Sequence, residues 1–131
     1  MKIEAHEAKA ERIMRSLAKC TAEDYEAVIE GAMLAGTHWF NVALHRFGAS
    51  AADDDVMHAE YLTGALRLKL SLIEPNLTAA LDEIENARPR FVRGDVSGGS
   101  EAATRCLELL STLRNLAQKA TPYRSRLPLG T

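Results

Sequence analysis

The chain has 131 residues, of which 47% are hydrophobic and 26% are charged, and its formal net charge is −2. This composition is typical of a folded protein rather than a disordered one, and the length fits one domain covering residues 1–131. A net charge so close to zero gives no general attraction to nucleic acid or to an anionic membrane.

The first residues are rich in Lys, Glu and Arg and are not typical of a secretory signal. The longest stretch without Asp, Glu, Lys or Arg, Gly31–His45, has fifteen residues. A membrane-spanning helix needs roughly 18–20. The two cysteines, Cys20 and Cys106, are expected to be reduced thiols. We therefore predict a cytoplasmic protein without a membrane segment.

The apolar spacing is helical along almost the whole chain. Ala10, Ile13 and Leu17 give the first predicted helix a thin apolar stripe. The second predicted helix runs from about Ala22 to Phe47 and is apolar over most of its circumference. It is expected to end at Gly48, because glycine readily adopts the left-handed conformation after a helix.

A loop of residues 48–55 follows, and Asp53 or Asp54 is expected to cap the next helix. Pro75 interrupts that helix, and Asn76 is expected to cap the continuation, although the pattern leaves open one kinked helix or two. Ser100 is expected to cap the last helix.

Residues 121–131 are expected to form a mobile tail. No segment alternates apolar and polar residues as a strand does. The predicted fold class is therefore all-α, an up-and-down bundle of four or five helices.

Polar residues form one line along the second helix. His38, Asn41 and His45 are spaced i, i+3 and i+7, so they share one face. This face is either a polar stripe with a structural role or part of a ligand-binding pocket. His58 and Arg88, from elements expected to pack nearby, would add positive charge to such a pocket. Histidine charge would then strengthen the binding of a small anion below pH ~6.5.

The spacing of the histidines predicts no metal site and no resident cofactor. No His has a carboxylate or Cys at a known zinc-ligand spacing on the same helix, and the Glu-x-x-His pattern of di-iron bundles is absent. The cluster of Arg88, Arg90 and Arg93 suits the negative end of a helix. Alternatively, these arginines form a patch that binds phosphate.

Small residues recur at four-residue spacing on the second helix and allow another helix to approach closely. The neighbour is either a helix of the same bundle or the same helix in a second copy of the chain. On the second interpretation we predict a homodimer with an interface at Ala32, Gly36, Trp39 and Phe40.

The order of features from Asp24 to Ala117 resembles the HEPN domains, a family of small helical bundles. The resemblance lies in four segments, which are Leu34–Phe40 around His38, Asp55–His58, Ala80–Arg88 followed by Phe91, and Ser100–Ala103. It implies a HEPN-like bundle.

The chain departs from the ribonucleases of that family, in which an Arg precedes a His by four to six residues. None of the four histidines has such an Arg. The resemblance therefore implies a non-catalytic module that binds a nucleotide, RNA or a partner protein, in a toxin–antitoxin or defence setting. Two alternatives stay open: an enzyme of another type that uses a His38/His45 pocket, and a structural subunit of an oligomer.

Overall fold

The computed structural model describes residues 1–123, which form five α-helices and no β-strand. The predicted all-α helical bundle is confirmed. The helices are α1 (Ile3–Leu17), α2 (Tyr25–Phe47), α3 (Gly64–Ile73), α4 (Pro75–Ala87) and α5 (Gly99–Lys119). A short 3₁₀ turn (Ala59–Tyr61) precedes α3, and a π-helical turn (Arg88–Arg93) follows α4. Of the predicted mobile tail, residues 121–123 are described and residues 124–131 lie outside the described part of the chain.

Helix α2 is the centre of the bundle and packs against α1, α4 and α5. Its side chains Ala32, Trp39 and Phe40 are fully buried within the one chain. Gly36 faces α5, where a Cβ atom would lie 3.0 Å from Leu113 Cδ1. All four residues of the predicted dimer interface are therefore covered by helices of the same chain. The wide apolar surface and the small-residue spacing are explained by packing inside the bundle, and they give no argument for a dimer through α2.

The ends of α2 differ in how well the sequence predicts them. Gly48 ends the helix as expected, with a φ of 75°. The start was predicted too early, because residues 22–24 form a turn in which the Thr21 N–H donates to the Asp24 carboxylate at 2.9 Å. Asp24 occupies the N-cap position, and the helix begins at Tyr25.

Pro75 separates two helices rather than kinking one. Glu74 is extended, with a φ of −156°, and Pro75 is the first residue of α4. The predicted Asn76 cap is wrong, since the Glu74 side chain accepts the Asn76 N–H. Proline suits this first helical position because its missing N–H would have no partner there.

Two further predicted caps are also wrong. Thr63, rather than Asp53 or Asp54, caps α3 and accepts the Leu66 N–H at 3.1 Å. The loop after α2 is longer than predicted and continues to the 3₁₀ turn. At the last helix, Gly98 takes the N-cap position with a φ of 97°, so Ser100 lies inside α5. Among the described residues, no helix is long and apolar enough to cross a membrane.

Candidate functional site

Four polar side chains from three segments meet beside α2. His6 of α1 approaches His38 of α2, with 2.9 Å between their Nδ1 atoms. The Nε2 atoms of His6 and His45 each lie 2.9 Å from the same oxygen, Oδ1 of Asp55 in the loop after α2. The side chains of His6 and His45 are only 2% and 3% exposed. We call these four residues the histidine cluster.

The hydrogen bonds of the histidine cluster fit one arrangement of protons. An ionised Asp55 accepts only, so the Nε2 atoms of His6 and His45 both carry hydrogen. The neutral His6 ring then accepts at Nδ1, which requires His38 to donate from its own Nδ1. The Ser50 hydroxyl donates in turn to Nδ1 of His45 at 2.9 Å. The Nε2 atom of His38 keeps a lone pair that accepts no hydrogen bond from any described residue.

Burial and mutual contact alter the acidity of the histidine cluster. Burial lowers the pKa of His6 below its usual value and outweighs the opposing effect of Asp55. Burial and the neighbouring His6 lower the pKa of His38. For Asp55, burial alone would raise the pKa, but hydrogen bonds from His6, the Met1 amino group and His45 lower it to about 2. At neutral pH, His6 and His38 are therefore neutral while Asp55 is ionised.

Asn41 connects the loop to α2 and has no free polar atom. Its Nδ2 donates to the carbonyl oxygens of Thr37 at 2.9 Å and Val56 at 2.7 Å, and its Oδ1 accepts the Val56 N–H at 2.7 Å. The side chain is 1% exposed. Asn41 therefore holds the loop so that Asp55, the neighbour of Val56, reaches the two histidines.

A cleft of about 530 Å³ borders the histidine cluster. His38, His58, Arg88 and Arg93 supply basic groups to its walls. Apolar side chains line another part, and they come from Met33, Leu34 and Met57. The cleft thus combines cationic and apolar surface next to the histidine cluster.

The basic groups of the cleft differ in how far they are neutralised. The Arg88 Nε donates to Glu30 at 2.6 Å, and His58 lies 3.4 Å from Glu85. The side chain of Arg93 makes no hydrogen bond or ion pair with any described residue, and Arg93 is exposed. The whole guanidinium of Arg93 is therefore available to a ligand.

The structure places the sequence-predicted site residues in two groups. His38, Asn41, His58 and Arg88 line the cleft, whereas His45 turns away from it to bond Asp55 and Ser50. Sequence reasoning missed three residues, namely His6, Asp55 and Arg93 as a lining residue. A signal for His6 did exist, because it lies four residues before Ala10 and so extends the buried stripe of α1.

The histidine cluster also contains a set of possible metal ligands. One ligand atom each from His6, His45 and Asp55 lies within 4.8 Å of the other two. The sequence did not indicate this set, because its members are separated by 39 and 10 positions and come from three different segments.

Comparison of the chain with protein-family models, curated proteins and solved structures finds no match. The resemblance to HEPN domains therefore stays a prediction.

Proposed function

We propose that this chain is a HEPN-like, non-catalytic binding module that takes a small anionic ligand of the nucleotide type into the cleft beside His38. One observation carries the proposal: the unpaired guanidinium of Arg93 shares a cleft with Arg88 and with an apolar wall. A phosphate group suits the guanidinium of Arg93, and a nucleobase suits the apolar wall.

Arg88 supports the same proposal. Only its Nε is engaged by Glu30, and no described residue bonds to its two terminal nitrogens. A guanidinium presents its donors in a planar fork that matches two oxygens of a phosphate. Two such groups in one cleft offset the negative charge of Glu30 and Asp55, which also line it.

His38 contributes to recognition as a neutral group. Its lowered pKa and its bond to His6 leave Nε2 as an acceptor at neutral pH. A ligand hydroxyl or amino group is the matching donor. Protonation of His38 would add positive charge only at a lower pH than the ~6.5 of an ordinary histidine. Anion binding near neutral pH is therefore expected to depend on the arginines.

Titration calorimetry with adenosine monophosphate and with inorganic phosphate, in the presence of a chelator, tests this proposal. Arg93→Ala is expected to weaken binding by about tenfold, which corresponds to about 1.4 kcal/mol. Arg90→Ala is the matched control, because Arg90 is exposed on the same π-helical turn but does not line the cleft. The proposal fails if neither anion binds the wild type, or if both variants lose affinity equally.

A second candidate function is acid–base catalysis, and the chain Asp55–His6–His38 favours it. The carboxylate fixes the His6 tautomer, and His6 in turn fixes that of His38, so that His38 lines the cleft with Nε2 as its basic atom. A chromogenic phosphodiester would test this candidate. Turnover that His38→Ala abolishes and Arg90→Ala leaves intact would favour an enzyme over a binding module.

We also propose that the chain forms a homodimer, though through another surface. Leu68 and Leu72 lie one turn apart on α3 and are 64% and 80% exposed. Sedimentation of the wild type and of Leu72→Glu tests this surface. A dimer that Leu72→Glu converts to monomer supports it, whereas a wild-type monomer at micromolar concentration refutes it.

RNA or a partner protein as ligand remains an alternative to the nucleotide.

A further inference from the structure

We infer that His6, His45 and Asp55 bind one divalent transition-metal ion. Two imidazoles and one carboxylate are a common donor set for zinc and iron in proteins. The three groups come from α1, α2 and the loop, and they converge because helix packing and the Asn41 bonds hold them together. The inference goes beyond anion binding and uses neither Arg88 nor Arg93.

The two distances from histidine nitrogen to Asp55 oxygen are close to those of a metal site, and all three donor atoms lie within 4.8 Å of one another. Zinc binds imidazole nitrogen at about 2.0–2.1 Å and carboxylate oxygen at about 2.0–2.2 Å, so neighbouring ligands in a tetrahedron are about 3.3 Å apart. The two histidine Nε2 atoms each lie 2.9 Å from Asp55 Oδ1. An increase of a few tenths of an ångström in each nitrogen–oxygen distance would make room for the ion.

The outer nitrogens of the two rings have the partners that a metal ligand needs. A histidine that coordinates through Nε2 carries its proton on Nδ1 and usually donates it to a neighbouring acceptor. Nδ1 of His45 lies 3.2 Å from the Ser50 carbonyl oxygen. Nδ1 of His6 lies 2.9 Å from Nδ1 of His38. Each ring can therefore move its proton from Nε2 to Nδ1 and still donate a hydrogen bond, once His38 has moved its own proton from Nδ1 to Nε2 and accepts from His6.

The position of the site leaves room for a further ligand. Three protein donors are fewer than the four of a closed structural zinc site. His6 and Asp55 both line the cleft, so the remaining coordination positions open toward it. Water or a group bound in the cleft would occupy them.

The experiment uses the untagged full chain after removal of metals with a chelator, carrying Cys20→Ser so that the half-buried thiol of Cys20 does not compete. Zn²⁺ is titrated by calorimetry, and Co²⁺ is added separately because its visible absorption reports nitrogen and oxygen coordination. We expect one ion per chain with each metal. The absence of binding by Zn²⁺ and Co²⁺ at neutral pH would overturn the inference.

Single-residue variants identify the side chains that bind the ion. Asp55→Asn keeps an oxygen able to accept from both histidines, so we expect it to fold yet to lose the Co²⁺ spectrum. His45→Ala is expected to lose it too. His58→Ala is the matched control, since His58 lies outside the three ligands, and it should bind as the wild type does. His38→Ala removes the outer partner of His6 and should weaken binding by about 10- to 100-fold.

Three results would contradict this assignment. They are an unchanged spectrum in Asp55→Asn, an unchanged spectrum in His45→Ala, and loss of binding in His58→Ala. Thermal melts in chelator show whether each variant is folded. If His45→Ala does not fold, Asp55→Asn and His38→Ala still decide the question.

Discussion

Replacing Asp55 with alanine is expected to destabilise the metal-free protein by about 3 kcal/mol. The variant removes the only oxygen in residues 1–123 that accepts the Nε2 hydrogens of His6 and His45. A buried donor left without an acceptor costs about 1–3 kcal/mol, and two donors are affected here. Water that enters through the partly exposed position of Asp55 recovers part of the loss, which places the expected value in the lower half of the combined range of about 2–6 kcal/mol.

Urea unfolding in chelator, followed by the fluorescence of the single buried tryptophan, Trp39, measures this loss. With a denaturant slope of about 1.5 kcal/mol/M, the midpoint should fall by about 2 M. Asp55→Asn keeps an acceptor in place and should lose less than half as much. Asp53→Ala removes the same charge from an exposed neighbour and should change stability by less than about 0.5 kcal/mol. A midpoint for Asp55→Ala within about 0.3 M of the wild type would refute the reasoning.

Three other predictions follow from the same contacts. The metal-free protein should lose stability as the pH falls, because the unfolded chain binds protons more readily than the folded one wherever folding lowers a pKa. The loss of stability begins below the ordinary histidine pKa of 6.5, through protonation of His6 and His38. It continues between pH 3.8 and about 2 through protonation of Asp55, which contributes about 2 kcal/mol. Unfolding midpoints that are flat from pH 7 to 4 would contradict this prediction. A thiol reagent at pH ~8 should modify Cys20 rapidly and Cys106 only on unfolding. The reason is that burial raises the pKa of Cys106 to about 11 and leaves only 2% of the residue exposed. Rapid modification of two thiols per chain would contradict this prediction. Asn41→Ala should cost about 1–3 kcal/mol and speed hydrogen exchange at the Val56 amide, since that amide loses its acceptor; slow exchange at Val56 in the variant would show that the loop is held by other contacts.

The sequence predicts the helices of this protein better than their ends. The apolar period identifies α2, and Gly48 and Pro75 mark boundaries because their backbone geometry leaves few choices. The caps at residues 63, 74 and 98 could not be predicted reliably, because several neighbouring polar residues or glycines are equally suited to each position. Tertiary packing decides among such candidates.

Within the histidine cluster, the sequence predicted only His38 and His45, the two members that share one helix. The spacing of His38, Asn41 and His45 places them along one face of α2, yet it does not show that His45 turns toward Asp55. His6 is 49 positions from Asp55, and the contact between them depends on how α1 docks and where the loop runs. Such long-range contacts leave almost no trace in local patterns.

The docking of α1 has a consequence for how this site assembles. Among the apolar side chains of α1, only Ala10 and Leu17 are buried, and His6 is buried with them. Partial unfolding that releases α1 would carry His6 away, while α2, α4 and α5 would keep the packed interior that they share. Completion of the histidine cluster is thus tied to the docking of α1 against α2 during folding. Any ligand that bridges His6 to the rest of the bundle would fasten the amino-terminal helix in place.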